Sequence, residues 1–341
     1  RSQVLSHVTA CCVNDFSACP HKLSVHGTPH NPRTTPPIPA KGPIHPHTHH
    51  HRAMTLPATQ PTASASIPEQ STVQTIAFIG GGNMASAIIG GLIRQGWPVE
   101  RIRVVEPWDE QRSRLQTQFG LTAQAQADAS LESCGLVVWA VKPQTFKTAA
   151  MACRPWTGQA LHLSVAAGIR SDSMADWLGT ERLVRAMPNT PALVGQGMTG
   201  LYARPSVSQA DRQWVNDVLA PTGQLLWLEH EQQLDVVTAL SGSGPAYVFY
   251  FIESMVQAGV DMGLSQAQAH QLAVATFTGA SALAQASDEA PKVLRQRVTS
   301  PGGTTFAAIS HLEASAVQTH FVDAMRAAAH RAQELGDEFG R

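Results

Sequence analysis

Short apolar runs alternate with longer amphipathic segments along residues 75–228. In the longer segments apolar residues recur every three or four positions, which predicts helices, whereas the short runs are rich in β-branched residues and predict strands. The predicted strands are 75–79, 102–105, 136–141, 161–165, 183–187 and 225–228. Such a regular alternation predicts an α/β fold with a Rossmann-type, doubly wound parallel sheet.

The pattern changes after residue 228, where the chain becomes rich in Ala and Gln and keeps only helical periods. Pro245 is predicted to open a helix that ends near Gly263, and Ser265 with Gln268 has the spacing of a capping box for the next helix. A few helices without a sheet cannot easily shield all their apolar stripes, which predicts an all-α dimerisation domain. The predicted domains are 74–233, which binds a dinucleotide, and 234–341, which dimerises and binds the substrate.

The first seventy residues show neither a helical nor a strand period. They hold nine of the 15 histidines and eleven of the 22 prolines, a composition typical of disorder. Residues 1–70 are therefore predicted to be a disordered or non-native extension, with Met54 as a plausible true start. The histidine run 49–51 is a weak metal ligand at most, and no metal site is predicted.

The composition of the chain limits the partners and the cellular location that we expect. The 341 residues carry a net charge of −1, which gives no reason to expect nucleic acid or an anionic membrane as a partner. Apolar runs are too short to span a bilayer, and no secretory signal is predicted. Because the five cysteines have neither zinc-site nor disulfide spacing, we predict a cytoplasmic protein. Cys134 and Cys153 are assigned no redox role.

The first predicted strand runs directly into Gly80-Gly81-Gly82-Asn83-Met84-Ala85 and then into a helical pattern. This strand, glycine turn and helix are the context of a dinucleotide-binding fingerprint. Gly80 allows the tight turn, Gly82 lets the backbone approach the pyrophosphate, and Ala85 takes the place of the third glycine. A plain turn between strand and helix is the alternative.

Glu106 follows the second predicted strand, 24 residues after Gly82. An acid at this place accepts hydrogen bonds from the adenosine ribose, which favours NAD over NADP. Arg112 and Arg114 lie just downstream and are alternative partners for a 2′-phosphate. The choice between NADPH and NADH is therefore open at this point.

Other candidates follow later strands. Lys142 and Pro143 come after the third strand, at the sheet edge where a cofactor lies in an open parallel sheet. The small residues 166–168 follow the fourth strand and allow a flat ring to approach the backbone. Asn189 belongs to a rigid Pro-Asn-Thr-Pro turn, and His162 is interpreted as a core histidine with satisfied hydrogen bonds.

A second glycine-rich segment lies far downstream, at Ser300-Pro301-Gly302-Gly303-Thr304-Thr305. Two adjacent glycines remove the Cβ atoms that would block the backbone from a small anion, and Pro301 precedes a helical pattern from Phe306 onward. A carboxylate suits such a helix start. An ordinary helix cap is the alternative interpretation.

Five motifs in this order resemble the pyrroline-5-carboxylate reductase family, over roughly residues 74–335. They are Phe78-Ile79-Gly80-Gly81-Gly82-Asn83-Met84-Ala85, Ala140-Val141-Lys142-Pro143, Met187-Pro188-Asn189-Thr190-Pro191, Ala239-Leu240-Ser241-Gly242-Ser243-Gly244-Pro245-Ala246-Tyr247 and Val298-Thr299-Ser300-Pro301-Gly302-Gly303-Thr304-Thr305. The resemblance implies reduction of L-1-pyrroline-5-carboxylate to L-proline with NADPH or NADH, the last step of proline biosynthesis. It also implies a homodimer, with assembly into a decamer left open.

The resemblance further implies which residues carry the reaction. The implied cofactor-binding residues are Ile79, Gly80, Gly81, Gly82, Asn83, Met84, Glu106, Ala140, Val141, Lys142, Pro143, Val165, Ala167 and Asn189. The implied substrate-binding residues are Ser300, Gly302, Gly303, Thr304 and Thr305. The Thr305 hydroxyl is expected to face the imine nitrogen as the catalytic group. Glu106 departs from the small polar residues common at its position in members that prefer NADPH.

Two other functions remain as alternatives at this stage. A β-hydroxyacid dehydrogenase would share both domains but would need a lysine base in the helical domain, where Lys292 is the only lysine. A dinucleotide-sensing dimer without catalysis would bind the cofactor without turnover, and the segment 300–305 would then be only a helix cap.

Overall fold

A computed structural model describes residues 74–340, and within them seven strands form one sheet in the order β2-β1-β3-β4-β5-β6-β7. The strands are β1 Thr75–Ile79, β2 Ile102–Val105, β3 Cys134–Trp139, β4 Leu161–Ser164, β5 Leu183–Met187, β6 Gly197–Ala203 and β7 Gly223–Trp227. The predictions for residues 1–70, including the start at Met54 and the histidine run 49–51, lie outside the described residues.

The sheet is parallel from β2 through β5, and only the pairing of β5 with β6 is antiparallel. The helices of this part are α1 Asn83–Arg94, α2 Asp109–Phe119, α3 Pro143–Thr157, α4 Ser171–Leu178 and α5 Gln209–Leu219. Apolar side chains of β1 are buried on both of its faces, which is why the strand reads as a continuous apolar run. The predicted Rossmann-type α/β sheet is confirmed.

Several predicted boundaries were wrong. Strand β3 ends at Trp139 rather than at residue 141, and β4 ends at Ser164 rather than at 165. The sheet also contains β6, which the sequence pattern did not reveal because Gly197 and Gly200 interrupt its apolar alternation. Strand β7 begins at Gly223, two residues before the predicted start.

The chain after β7 is helical within the described residues. It forms α6 Gln233–Val237, a π-helical turn Thr238–Gly242, α7 Gly244–Asp261, α8 Gln266–Gln285, α9 Pro291–Arg297, α10 Thr304–Ala314 and α11 Val317–Phe339. The predicted capping box is confirmed, since the Gln268 N–H donates to Ser265 Oγ at 3.3 Å and the Ser265 N–H donates to Gln268 Oε1 at 3.0 Å. Helix α10 begins at Thr304, two residues before the predicted start.

The helical part leaves many large apolar side chains in contact with solvent. Its small buried cluster consists of Val256, Ala269 and Ala273, whereas Tyr250 is 66% exposed and Leu283 is also 66% exposed. A helix that exposes such residues needs a further apolar surface to cover them. No described helix is long and apolar enough to cross a membrane.

Buried charges connect the sheet to the segment after β7. Arg185 of β5 forms an ion pair with Glu231, and the same carboxylate accepts hydrogen bonds from the backbone N–H and the hydroxyl of Ser171, each at 2.6 Å. Arg170 pairs with Asp235 at 3.2 Å. These pairs hold the start of α4 against the first residues of the helical part.

Candidate active site

The carboxyl ends of four neighbouring strands lie at one edge of the sheet and are joined by backbone hydrogen bonds. Gly80 N–H donates to Val105 O at 2.8 Å, Ala140 N–H to Ile79 O at 2.8 Å and Val165 N–H to Trp139 O at 3.0 Å. The chain leaves β1 toward β2 on one side and later returns through β3 on the other. Ligands bind in this type of sheet at the crevice where the strand order reverses, which here is between β1 and β3.

The glycine turn, residues 80–82, connects β1 to α1. Gly80 has a φ of +93°, and a Cβ atom at this position would lie 2.6 Å from the carbonyl oxygen of Ala140. A Cβ atom at Gly81 would lie 2.6 Å from Cδ1 of Leu115. A Cβ atom at Gly82, in contrast, would meet no atom within 4 Å, because Gly82 faces the open crevice. Backbone conformation and the nearby carbonyl group therefore require glycine at position 80, whereas a side chain at position 81 would displace the end of Leu115 and one at position 82 would occupy the open crevice.

The start of α1 has the properties of an anion-binding site. Gly82 caps the helix without a side-chain hydrogen bond, and no acidic residue lies in the first turn. Among the described residues, no protein acceptor receives a hydrogen bond from the backbone N–H groups of Gly82, Asn83, Met84 or Ala85. Free N–H groups at the positive end of a helix dipole suit a pyrophosphate, so the residues present fit a dinucleotide.

Glu106 is the residue after β2 and is only 8% exposed. Its Oε2 atom accepts a hydrogen bond from Gly81 N–H at 2.8 Å, and its Oε1 atom accepts one from Trp108 N–H at 3.0 Å. Gln111 of α2 also holds the glycine turn, since its Nε2 atom donates to Gly81 O at 2.6 Å. Gln111 was not predicted from the sequence, because a polar residue on a predicted helix gives no sign of contact with a turn 30 residues away.

The other predicted cofactor-binding residues lie at or near the same edge. Ala140, Val141 and Pro143 are half-buried, and Lys142 caps α3 through its carbonyl group while its side chain is exposed. Val165 and Ala167 lie just after β4 and are half-buried.

Asn189 lies just after β5 and its amide group already has protein partners. Its Nδ2 atom donates to Ser241 O at 3.1 Å, and its Oδ1 atom accepts from Met198 N–H at 2.9 Å. The amide therefore links the end of β5 to β6 and to the π-helical turn.

Two buried aromatic side chains joined by a hydrogen bond, Trp139 and His162, support the end of β3. Trp139 Nε1–H donates to His162 Nδ1 at 2.9 Å, and His162 Nε2 lies 3.1 Å from the carbonyl oxygen of Thr157. The imidazole therefore carries its proton on Nε2, and burial lowers the pKa of His162 to about 4. The interpretation of His162 as a satisfied core histidine is confirmed. The Trp139 that it holds directly precedes the segment 140–143.

The segment 300–305 lies between α9 and α10. Gly302 has a φ of +71°, and a Cβ atom at Gly303 would lie 2.6 Å from the hydroxyl oxygen of Ser300. Helix α10 has no acidic residue in its first turn and no side-chain cap. Within the described part of the chain, the hydroxyl groups of Ser300, Thr304 and Thr305 form no hydrogen bond to protein atoms. This helix start therefore offers hydroxyl and amide donors to an anion.

The two glycine-rich segments are not linked by any hydrogen bond among residues 74–340. Helix α10 packs on α11, which in turn packs on α6 and on the π-helical turn. Next to that turn an open groove of about 490 Å³ is lined mainly by apolar side chains, among them Leu240, Phe251 and Phe321, with Asn189 and Ser241 at one side.

Residues 74–340 contain neither a metal-ligand cluster nor an exposed thiol. No cluster of three or more His, Cys, Asp or Glu side chains suited to a metal ion occurs within residues 74–340. Cys134 and Cys153 are free and buried, and burial raises the pKa of each thiol to about 11. These two thiols are poor nucleophiles at neutral pH.

Comparison with known proteins gives a consistent result for both parts of the chain. A family model described as "Pyrroline-5-carboxylate reductase dimerisation" matches residues 231–335, which supports formation of an oligomer. A model described as "NADP oxidoreductase coenzyme F420-dependent" matches residues 75–168, which hold β1 to β4 and the glycine turn.

Individual relatives agree with these matches. The pyrroline-5-carboxylate reductase of Pseudomonas aeruginosa is 43% identical over 268 residues, which are 78% of this chain and 98% of that protein. The enzyme of that name from Pisum sativum is 36% identical over 271 residues, 79% of this chain and 98% of that protein.

Two solved structures extend the likeness to the fold. A pyrroline-5-carboxylate reductase from Coxiella burnetii has a TM-score of 0.72 and 36% identity, over 77% of this chain and 98% of that one. The Plasmodium falciparum pyrroline carboxylate reductase with NADP bound has a TM-score of 0.70 and 29% identity, again over 77% and 98%. These matches do not favour a β-hydroxyacid dehydrogenase, whose candidate base Lys292 is exposed at the start of α9, or a sensor without catalysis.

Proposed function

The chain belongs to the pyrroline-5-carboxylate reductase family, and we propose which helix start binds the cofactor and which binds the substrate. The protein is an NAD(P)H-dependent oxidoreductase that reduces L-1-pyrroline-5-carboxylate to L-proline. The glycine turn 80–82 holds the cofactor phosphates, and the segment 300–305 holds the carboxylate of the substrate.

One observation carries this assignment. Helices α1 and α10 both begin with a glycine cap, lack an acidic residue in the first turn and keep backbone N–H groups without a protein acceptor. Each start attracts an anion, and the reaction brings together two anionic molecules, the dinucleotide and the substrate carboxylate. The second start adds the hydroxyl groups of Ser300 and Thr304, which suit a carboxylate.

Thr305 is the residue assigned to the reacting nitrogen. The nicotinamide supplies the hydride when the cofactor is bound. A protonated cyclic imine is already a strong electrophile, so the site needs no strong general acid, and the segment 298–306 contains neither His nor Lys. The hydroxyl group of Thr305 hydrogen-bonds to the substrate nitrogen and stabilises the amine that develops there.

Oligomer formation follows from the exposed apolar side chains of the helical part. We assign a homodimer, in which the faces of α7, α8 and α11 cover each other. Assembly into a decamer, which the family resemblance left open, is not tested, and the cytoplasmic location expected from the cysteines stays a prediction.

The test is oxidation of NADPH and of NADH by the full chain with L-pyrroline-5-carboxylate, followed at the nicotinamide absorbance band. We expect Thr305→Ala to lower kcat about 10- to 100-fold, because one hydrogen bond to the reacting nitrogen is lost. Cofactor affinity should be unchanged, and the matched variant Thr305→Ser, which keeps the hydroxyl group, should retain most of the rate.

An unchanged kcat in Thr305→Ala would remove this residue from the mechanism. Absence of turnover with either cofactor, in folded and oligomeric protein that binds the dinucleotide, would reject the catalytic function and favour the sensor.

A further inference from the structure

The buried carboxylate of Glu106 lies where a dinucleotide site distinguishes its two common cofactors. In this fold the residue at the carboxyl end of the second strand faces the ribose hydroxyls of the adenosine half. Glu106 follows Val105, which pairs in register with Ile79, so its backbone lies level with the glycine turn. The hydrogen bonds from Gly81 and Trp108 fix both oxygen atoms at this place.

The two arginines downstream of Glu106 already contact protein acceptors. Arg112 Nη1 donates to the carbonyl oxygens of Glu106 at 2.8 Å and of Pro107 at 2.7 Å, and the same guanidinium pairs with Asp109. Arg114 forms an ion pair with Glu110 at 2.6 Å. A 2′-phosphate would therefore meet a fixed carboxylate at this position, with both downstream guanidinium groups already engaged by protein atoms.

From this arrangement, and resting on the proposed function, we propose that Glu106 makes this enzyme select NADH over NADPH. The carboxylate has acceptor capacity left for ribose hydroxyl groups, because each of its oxygens receives only one hydrogen bond. The 2′-phosphate of NADPH instead brings nearly two negative charges to a partly desolvated carboxylate. We expect NADH to bind about 10- to 100-fold more tightly than NADPH, because like charges at short range repel strongly where water is excluded.

The test measures dissociation constants by isothermal titration, using the full chain without substrate. NADH and NADPH are titrated into the wild type, Glu106→Ser, Glu106→Gln and the control Glu100→Gln. Loss of the carboxylate should lower the ratio of Kd for NADPH to Kd for NADH at least tenfold. Glu100 is an exposed carboxylate just before β2 and pairs with neither Arg112 nor Arg114, so the ratio of the control should stay within about twofold of the wild type, as expected for a screened surface charge.

A purely structural role of Glu106 gives a different result. Loosening of the glycine turn would weaken the binding of both cofactors equally and leave the ratio unchanged, which would overturn the proposal. If the variants do not fold, the proposal is tested on the wild type alone by measuring the dissociation constants of two adenosine nucleotides. Adenosine 5′-monophosphate should then bind more tightly than adenosine 2′,5′-bisphosphate. Tighter binding of the bisphosphate, or of NADPH, would refute the selection.

Turnover is measured separately with L-pyrroline-5-carboxylate. Absence of turnover with a cofactor that binds would reject the reductase function but leave the binding ratio intact. Turnover with a preference for NADPH in both Kd and kcat/KM would reject only the role of Glu106.

Discussion

The buried hydrogen bonds that join Trp139 to His162 and His162 to Thr157 predict a pH-dependent loss of stability. Both ring nitrogens of His162 have partners, and the imidazole accepts one hydrogen bond through Nδ1, which only the neutral ring can do. Protonation inside the protein would break that bond and place a charge in the core. Burial, and to a smaller degree the charge of Arg182, therefore lowers the pKa of His162 from 6.5 to about 4.

The sign of the effect follows from the two pKa values. Between pH 6.5 and pH 4 the unfolded chain binds a proton at this residue and the folded protein does not, so stability falls as the pH falls through this window. The stability is fully present above pH 6.5. Linkage gives a loss of about 2 kcal/mol between pH 7 and pH 5, and of about 3 kcal/mol once the pH is below 4.

Urea unfolding at pH 7 and pH 5, at one fixed protein concentration because the protein is an oligomer, measures this loss. His162→Gln removes the titrating group, so the decrease in stability on going to pH 5 should be smaller than in the wild type by about 2 kcal/mol. His230→Gln, at an exposed histidine, is the control and should keep the wild-type decrease. Equal pH dependence of the wild type and His162→Gln would refute the assignment of a neutral buried imidazole.

Two further predictions concern the glycine turn and the thiols. Gly80→Ala should destabilise the fold by about 2 kcal/mol or more because of its positive φ and the carbonyl oxygen that a Cβ would meet, whereas Gly82→Ala should keep the thermal midpoint and weaken cofactor binding. Equal thermal midpoints of the two variants would contradict this separation. Iodoacetamide at pH 8 should modify Cys134 and Cys153 at least tenfold more slowly in native than in urea-unfolded protein, because burial raises their pKa to about 11. Mass spectrometry of the two peptides measures both rates, and equal rates would show that the thiols are accessible.

Much of the fold could be predicted because its signals are local. Strand β1 is a short apolar run, and the turn after it needs glycine at Gly80 for steric reasons that a sequence displays. Strand β6 could not be predicted in this way, because Gly197 packs against the backbone near Thr222 and Gly200 packs against Val237. Those contacts explain the glycines only once the fold is known.

The same distinction between local and distant signals applies to the candidate site. Gly80, Gly82 and Glu106 were predicted from their spacing, because a strand and the helix after it fix where they lie. The partners that hold these residues come from elsewhere in the chain, as Gln111 does for the glycine turn and His162 does for Trp139. Pairings across 23 or 30 residues depend on how helices pack on the sheet, so a single sequence gives no signal for them.

The two proposed anion sites differ in how they are held. The glycine turn is fixed by the sheet, through Gly80 N–H to Val105 O and through the Glu106 carboxylate. Among the described residues, the segment 300–305 is held only by local bonds, such as Gly303 N–H to Ser300 O at 3.0 Å, and the helix that follows it packs on α11. Interactions with the sheet form within a single chain, whereas the exposed apolar faces of the helical part need a second chain to cover them. We therefore expect the proposed cofactor site to form within one protomer and the proposed substrate site to depend on assembly.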